Sequence, residues 1–219
     1  MCGRFVIELS PELVARFFGL TETPDLPPRY NVAPTQPVPV IREASDGSRR
    51  LSMMRWGLVP SWAKDIGDGL INARCETVNE KPSFRQTFRR RRCIIPASGF
   101  YEWQKVEKLK VPYYIHMVDS SPMPFAGIWE AWCSPDGQVM ESCAILTTSA
   151  NAKVAPIHDR MPVILHPSAF GLWLDRQVHE AERLAPLFAP CPADQLVSYP
   201  VSPLVNSPAN DTTACIKPA

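Results

Sequence analysis

The sequence has no apolar run of about 18 residues or more, the length that crosses a bilayer as a helix, and no charged-then-apolar pattern at its start. Neither a membrane span nor a signal peptide is expected. The seven cysteines, at 2, 75, 93, 133, 143, 191 and 215, are odd in number and include no Cys-x-x-Cys pair. That argues against a disulfide framework and points to a reduced, cytoplasmic protein in which most thiols act as small buried hydrophobes. His-Glu-x-x-His, zinc-spaced cysteines and an acidic calcium loop are missing, so no metal is expected. Gly-x-Gly-x-x-Gly, the glycine-lysine phosphate loop and Gly-x-Ser-x-Gly are missing too, which leaves no cofactor implied and shifts weight to covalent chemistry by a side chain. An excess of charge of either sign is also lacking: the net value is +1, so nothing global signals nucleic acid. Glycine is scarce, 10 residues against 24 prolines spread along the chain, which implies many short elements joined by rigid turns.

What is present suits a globular protein of one domain, residues 1–219, with 45% apolar and 21% charged residues. Ser10-Pro11-Glu12 opens a short helix with apolar residues at 13, 14, 17 and 18, closed by Gly19. Residues 21–36 read as an irregular wrap. The runs 38–42 and 51–56 flank Ser45-Asp46-Gly47-Ser48 and read as a hairpin; 63–70 reads as a surface loop. A helix is expected over 82–90, with Phe84 and Phe88 on its buried side. The arginines at 85, 89, 90, 91 and 92 then read as a solvated face, a phosphate-binding strip being the alternative. Strands are expected at 93–96, 100–105, 112–117, 124–129, 141–148, 162–165 and 196–199, and late helices at 167–175 and 178–188. Strand-rich segments with non-alternating helices imply an α+β fold, with a curved or barrel-like, mostly antiparallel sheet surrounded by short helices.

Chemistry concentrates at the start. Removing Met1 leaves Cys2 as the N-terminal residue, with an α-amine and a thiol together. Such a 1,2-aminothiol condenses with an aldehyde to a Schiff base and closes to a thiazolidine. The amine titrates near ~7.7–8.0 and the thiol near ~8.5, so each supplies some nucleophile at neutral pH. In the run from Phe100 to Gln104, Phe100, Glu102 and Gln104 share one strand face and Tyr101 and Trp103 the other. Alternation leaves two readings for Glu102: a desolvated carboxyl able to move a proton, or a glutamate on an exposed half of a sheet, the commoner case. His158 precedes a short apolar strand, where a side chain often faces a cleft. His116 reads as structural, and His166 and His179 fall near helix starts.

Six blocks in order, Met1-Cys2-Gly3-Arg4-Phe5, Tyr30-Asn31-Val32-Ala33-Pro34, Arg55-Trp56-Gly57-Leu58-Val59-Pro60, Asn72-Ala73-Arg74-x-Glu76, Gly99-Phe100-Tyr101-Glu102-Trp103 and His158-Asp159-Arg160-Met161-Pro162, resemble the SOS response-associated peptidase (SRAP) family. The resemblance implies recognition of abasic sites in single-stranded DNA and a covalent thiazolidine on Cys2, with a secondary Schiff-base lyase activity. It implies that Glu102 assists proton transfer at the amine, that His158 acts as acid or base on the opened sugar, and that Asn72 positions cysteine and sugar. Arg4, Arg74 and Arg160 match its phosphate-binding positions; Trp62, Trp103 and Pro34 match its stacking and wedge positions, with core packing the other reading for the tryptophans. Cys75 puts a second thiol inside one block. The alternatives are a thiol autopeptidase acting on its own N-terminus and a non-covalent single-strand binder.

Overall fold

The computed structural model describes residues 2–219; the expected removal of Met1 lies outside the described residues. Strand β1 (Phe5–Ile7) leads into helix α1 (Pro11–Phe18). The Ser10 hydroxyl accepts from the Leu13 N–H at 3.2 Å, and Gly19, at φ 67°, ends the helix in the left-handed conformation that glycine adopts without steric cost. Strand β2 (Arg29–Val32) corrects the reading of 21–36 as irregular throughout. Four residues behind a proline-rich approach show no periodicity, and their strand character comes from pairing with β1. The hairpin β3 (Pro37–Glu43) and β4 (Arg49–Trp56) turns at Asp46-Gly47 as expected, the Asp46 carboxylate accepting from the Ser48 N–H at 2.9 Å.

The next elements are β5 (Asn72–Arg74), α2 (Arg85–Arg90), β6 (Arg92–Ala97), β7 (Gly99–Val106), β8 (Leu109–Met117), β9 (Met123–Cys133) and β10 (Val139–Ser149). Helix α2 starts later than expected because 82–84 form turns. Strand β11 is Arg160–Pro162, ahead of the apolar run 162–165 expected to form it, since its pairing partner on β10 is the polar segment 147–149. The late helices are shorter than expected: α3 (Phe170–Leu174) and α4 (Ala181–Leu184), each adjoined by a single 3-10 turn, before β12 (Leu196–Pro200). No helix among the described residues is long and apolar enough to cross a membrane.

Strands β10, β4, β3, β6 and β9 pair in that order, and β9 pairs back with β10, so the sheet closes into a barrel. Its pairs are antiparallel except β4–β10; β5 adds to β10 in parallel, and β11 lies antiparallel to the end of β10. A second sheet, ordered β12-β8-β7-β1-β2, is antiparallel throughout. The α+β, barrel-like expectation is met.

Period two explains how the second sheet works. Phe5 and Phe100 face the barrel side, where Phe5 meets Trp56 at 5.0 Å and Phe125 at 5.9 Å between ring centroids. Val6 and Tyr101, one residue on, face a separate small core with Tyr114, Val201, Val205 and Cys215. Strands β1 and β7 are therefore covered on both faces where they pair.

The arginine run is not one solvated face, which corrects that expectation. Arg92 is buried and caps two helices at once: it donates to the carbonyls of Phe88 (2.8 Å) and Arg89 (2.9 Å) at the end of α2, and to those of Trp173 (2.6 Å) and Asp175 at the end of α3. Burial lowers its pKa to about 10, so it remains charged at neutral pH. Arg91 pairs with Glu130, while Arg85, Arg89 and Arg90 are exposed.

Candidate active site

Tyr101 N–H donates to the Arg4 carbonyl at 2.9 Å, which lays the leader of β1 beside β7. Cys2 is thereby 0% exposed. Its carbonyl accepts from Asn72 Nδ2 at 2.8 Å, and Asn72 is fixed by the parallel register of β5 on β10 opposite Ile145. Asn72 Oδ1 is buried with no hydrogen-bond partner among the described residues. Burial pushes the Cys2 thiol far up, and the Glu102 carboxylate adds to the effect.

Glu102 is 3% exposed, which overturns its reading as an exposed glutamate. Alternation identifies its face; only the fold shows that Cys2 and the chain around His158 cover it. Burial holds its carboxyl above the ordinary range, with His158 pulling the other way. His158 Nδ1 lies 3.0 Å from the Arg160 backbone nitrogen and 2.9 Å from Asp159 Oδ1, contacts that fix the orientation of the ring. Glu102 and His158 line one cleft of about 490 Å³ with Trp103, Lys105, Lys110 and Asn206. The two lysines are not among the residues expected from the sequence, where like charges at 105 and 110 are the available signal; Asn206 falls among the asparagines after Val201-Ser202-Pro203, a stretch that resembles the tail of the SRAP family.

Trp103 is half-buried against the smaller core, and its indole N–H donates to Asn206 Oδ1 at 2.8 Å. The tail that supplies Asn206 is held by the buried Asn31, whose Nδ2 faces the carbonyls of Val205 (3.2 Å), Ser207 (2.9 Å) and Asn210 (2.7 Å). Asp211 adds to this by accepting from the N–H groups of Tyr30 and Asn31 and pairing with Arg29. Arg4 is committed to the same lock: its NH1 donates to Asn31 Oδ1 and to the Val205 carbonyl, each at 2.7 Å, and its guanidinium lies 5.9 Å from the Trp103 ring centre.

The remaining residues lie on other segments of the chain. Arg74 is exposed next to Asn72 and Ala73 on β5. Arg160, its side chain 12% exposed, is engaged by Glu76 through two bonds of 2.6 and 2.8 Å and by the Thr147 carbonyl at 2.7 Å. That pairing holds the Glu76 carboxyl down at about 2. Cys75, half-buried beside them, is pushed up by burial and stays a thiol at neutral pH. Trp62 is 67% exposed, so core packing does not apply to it. It rides on a loop closed by the Leu58–Leu70 bridge and by Arg55, which donates to the carbonyls of Gly57, Gly67 and Asp68. Pro34 is half-buried and precedes Thr35, whose φ of 70° is rare for a β-branched residue. No cluster of three or more His, Cys, Asp or Glu able to hold a metal occurs among the described residues.

Fold and site together define an α+β barrel protein that buries a cysteine near its N-terminus against a carboxyl–histidine cleft. The chain belongs to the SOS response associated peptidase (SRAP) family, whose model matches residues 1–208. It is 42% identical to the Abasic site processing protein YoqW of Bacillus subtilis (strain 168), over 99% of both chains. It is 32% identical to the Abasic site processing protein HMCES of Mus musculus, over 100% of this chain and 76% of that one. A crystal structure of a protein from Bacteroides thetaiotaomicron superposes with a TM-score of 0.88 at 27% identity, covering 100% of both.

Proposed function

We propose that this chain processes abasic sites in single-stranded DNA by capturing the aldehyde of the ring-opened sugar as a thiazolidine on Cys2, after removal of Met1. The observation that carries the reading is the convergence at Cys2: a buried cysteine, its carbonyl held by Asn72, beside a buried carboxyl that shares its cleft with a histidine. The names of the relatives support abasic sites as the target.

The α-amine of Cys2 adds to the aldehyde carbon to give a carbinolamine. Loss of water leaves the imine. The sulfur then adds to the imine carbon and the thiol proton ends on the nitrogen, so the whole reaction releases one water. Because burial keeps the thiol protonated, the closing step needs a proton acceptor within the site. Glu102, with its carboxyl raised toward neutrality, exchanges protons at the amine and the sulfur. His158 serves the sugar oxygen as the ring opens, and Asn72 Oδ1 accepts from the amine or a sugar hydroxyl. Arg74 faces the backbone phosphates, while Arg4 and Arg160 reach them by exchanging partners, Asn31 and the Val205 carbonyl for Arg4 and Glu76 for Arg160; Trp62 and Trp103 stack bases, and Pro34 acts as a wedge, stacking contributing roughly 1–3 kcal/mol per base.

An oligonucleotide with one abasic site, incubated with protein whose N-terminal mass is verified, is expected to give a heat-stable slow band on a denaturing gel that Cys2→Ala abolishes. No band from protein beginning at Cys2 would remove the covalent reading. Cys2→Ser keeps the amine but cannot close the stable ring; it is expected to nick the strand through the Schiff base, and intact DNA would count against an amine-first order.

A further inference from the structure

The β7–β8 hairpin extends beyond the sheet that carries it. Strand β7 pairs with β1 only at Gly99 and Phe100, with one further bond from Tyr101 to Arg4; from Glu102 to Val106 only β8 continues beside it. The projecting arm flanks the cleft, and Gln104 Nε2 braces it to the Pro156 carbonyl, at 3.0 Å, on the segment that leads to His158. Lys105 and Lys110 stand directly opposite each other in the register, and both line the cleft with Glu102 and His158. Like charges opposite one another across an antiparallel pair are destabilising. Neither ammonium forms an ion pair with a carboxylate among the described residues. The arm turns through Glu107 at φ 54°, a conformation that costs a non-glycine residue energy, and its tip exposes Val106 and Leu109.

Alternation places Tyr101, Trp103 and Lys105 on one face of β7, with Tyr114, Pro112 and Lys110 across from them. Two residues along a strand advance about 6.8 Å, close to one nucleotide of an extended strand. A base stacked on Trp103 would bring the next backbone phosphate to the two ammonium groups.

We infer that Lys105 and Lys110 form a phosphate clamp that holds the single strand one nucleotide beyond the base on Trp103 and so sets the register of the abasic residue over Cys2. This rests on the single-stranded DNA reading above. A backbone phosphate between the ammonium groups replaces their repulsion with attraction, while the exposed tip keeps the arm open to strands of any sequence.

The test uses a Lys105→Gln/Lys110→Gln double variant and a control pair at exposed sites outside the cleft, Lys81→Gln/Lys217→Gln. Non-covalent binding to an undamaged single-stranded oligonucleotide is followed by anisotropy across salt concentrations. Each single-strand phosphate contact contributes about 0.7 to the slope of log affinity against log salt. The clamp variant, which gives up the one phosphate held between the two lysines, is therefore expected to lose about 0.7 of slope and the control pair little. The clamp variant is also expected to melt at or above the wild-type temperature. Its rate of capture of 2-deoxyribose, an aldehyde without phosphate, should equal wild type, whereas capture of the abasic oligonucleotide should slow at low salt. An unchanged slope, an equal loss in the control pair, or slowed capture of the free sugar each overturns the clamp. Failure of the wild-type protein to bind single strands at all would instead overturn the reading beneath it.

Discussion

Glu102 shows at the level of one residue what the site costs the fold. An unfolded glutamate titrates near ~4.3, and burial raises the folded value. Between those two values the folded chain binds more protons than the unfolded one, so its stability falls as pH rises through the window and the deficit persists above it. Glu102→Gln removes that deficit while keeping the shape. The variant is expected to melt above wild type at pH 7 and level with it at pH 4. Thermal melts at the two pH values check this, and a gain of equal size at both would assign it to packing. Under the proposed role of Glu102 in proton transfer, crosslinking by the same variant should be slowed. The alternation from Phe100 to Gln104 is readable from the residues, but its meaning is not. Burial of Glu102 depends on a leader strand some hundred residues away in the sequence.

Elements differ in legibility for the same reason. Helix α1 and the β3–β4 hairpin carry their own start and stop chemistry, Ser10 with Gly19 and Asp46 with Gly47, so local sequence is enough to find them. Strands β1 and β2 are short, and they exist through partners elsewhere in the chain, Phe5 opposite Phe100 and Val32 opposite Phe5. The arginine run divides on the same principle: Arg92 looks like its neighbours until α3 arrives with two carbonyls for it. Arg92→Met is therefore expected to leave the ends of α2 and α3 without their donor and to cost roughly 3 kcal/mol, since unsatisfied buried groups cost about 1–3 kcal/mol each. At about 2–4 °C per kcal/mol the melting temperature should fall by about 6–12 °C. Arg89→Met, made at an exposed neighbour, should shift it little. If the two variants melt alike, the double cap contributes nothing.

Across the whole molecule the two ends of the chain are tied together at the site. Arg4 donates to Val205, Asn31 holds the tail through Val205, Ser207 and Asn210, and the tail returns Asn206 to the indole of Trp103. The net charge of +1 provides little long-range attraction for a polyanion, so binding must rely on local geometry. The head-to-tail lock maintains that geometry on the face formed by Arg4, Trp103 and the cleft. Asn31→Ala opens the lock without touching Cys2, Glu102 or His158. It is expected to cost about 2–4 kcal/mol, as loss of a buried hydrogen-bonding hub does, and to raise hydrogen exchange selectively over 203–211. Because Trp103 then loses the partner that orients its ring, capture of an abasic oligonucleotide should slow more than capture of free 2-deoxyribose. Exchange measured by mass spectrometry alongside the two capture rates separates the outcomes. Faster exchange with both rates unchanged would make the tail a purely structural strap, and unchanged exchange would mean that the tail is held without Asn31.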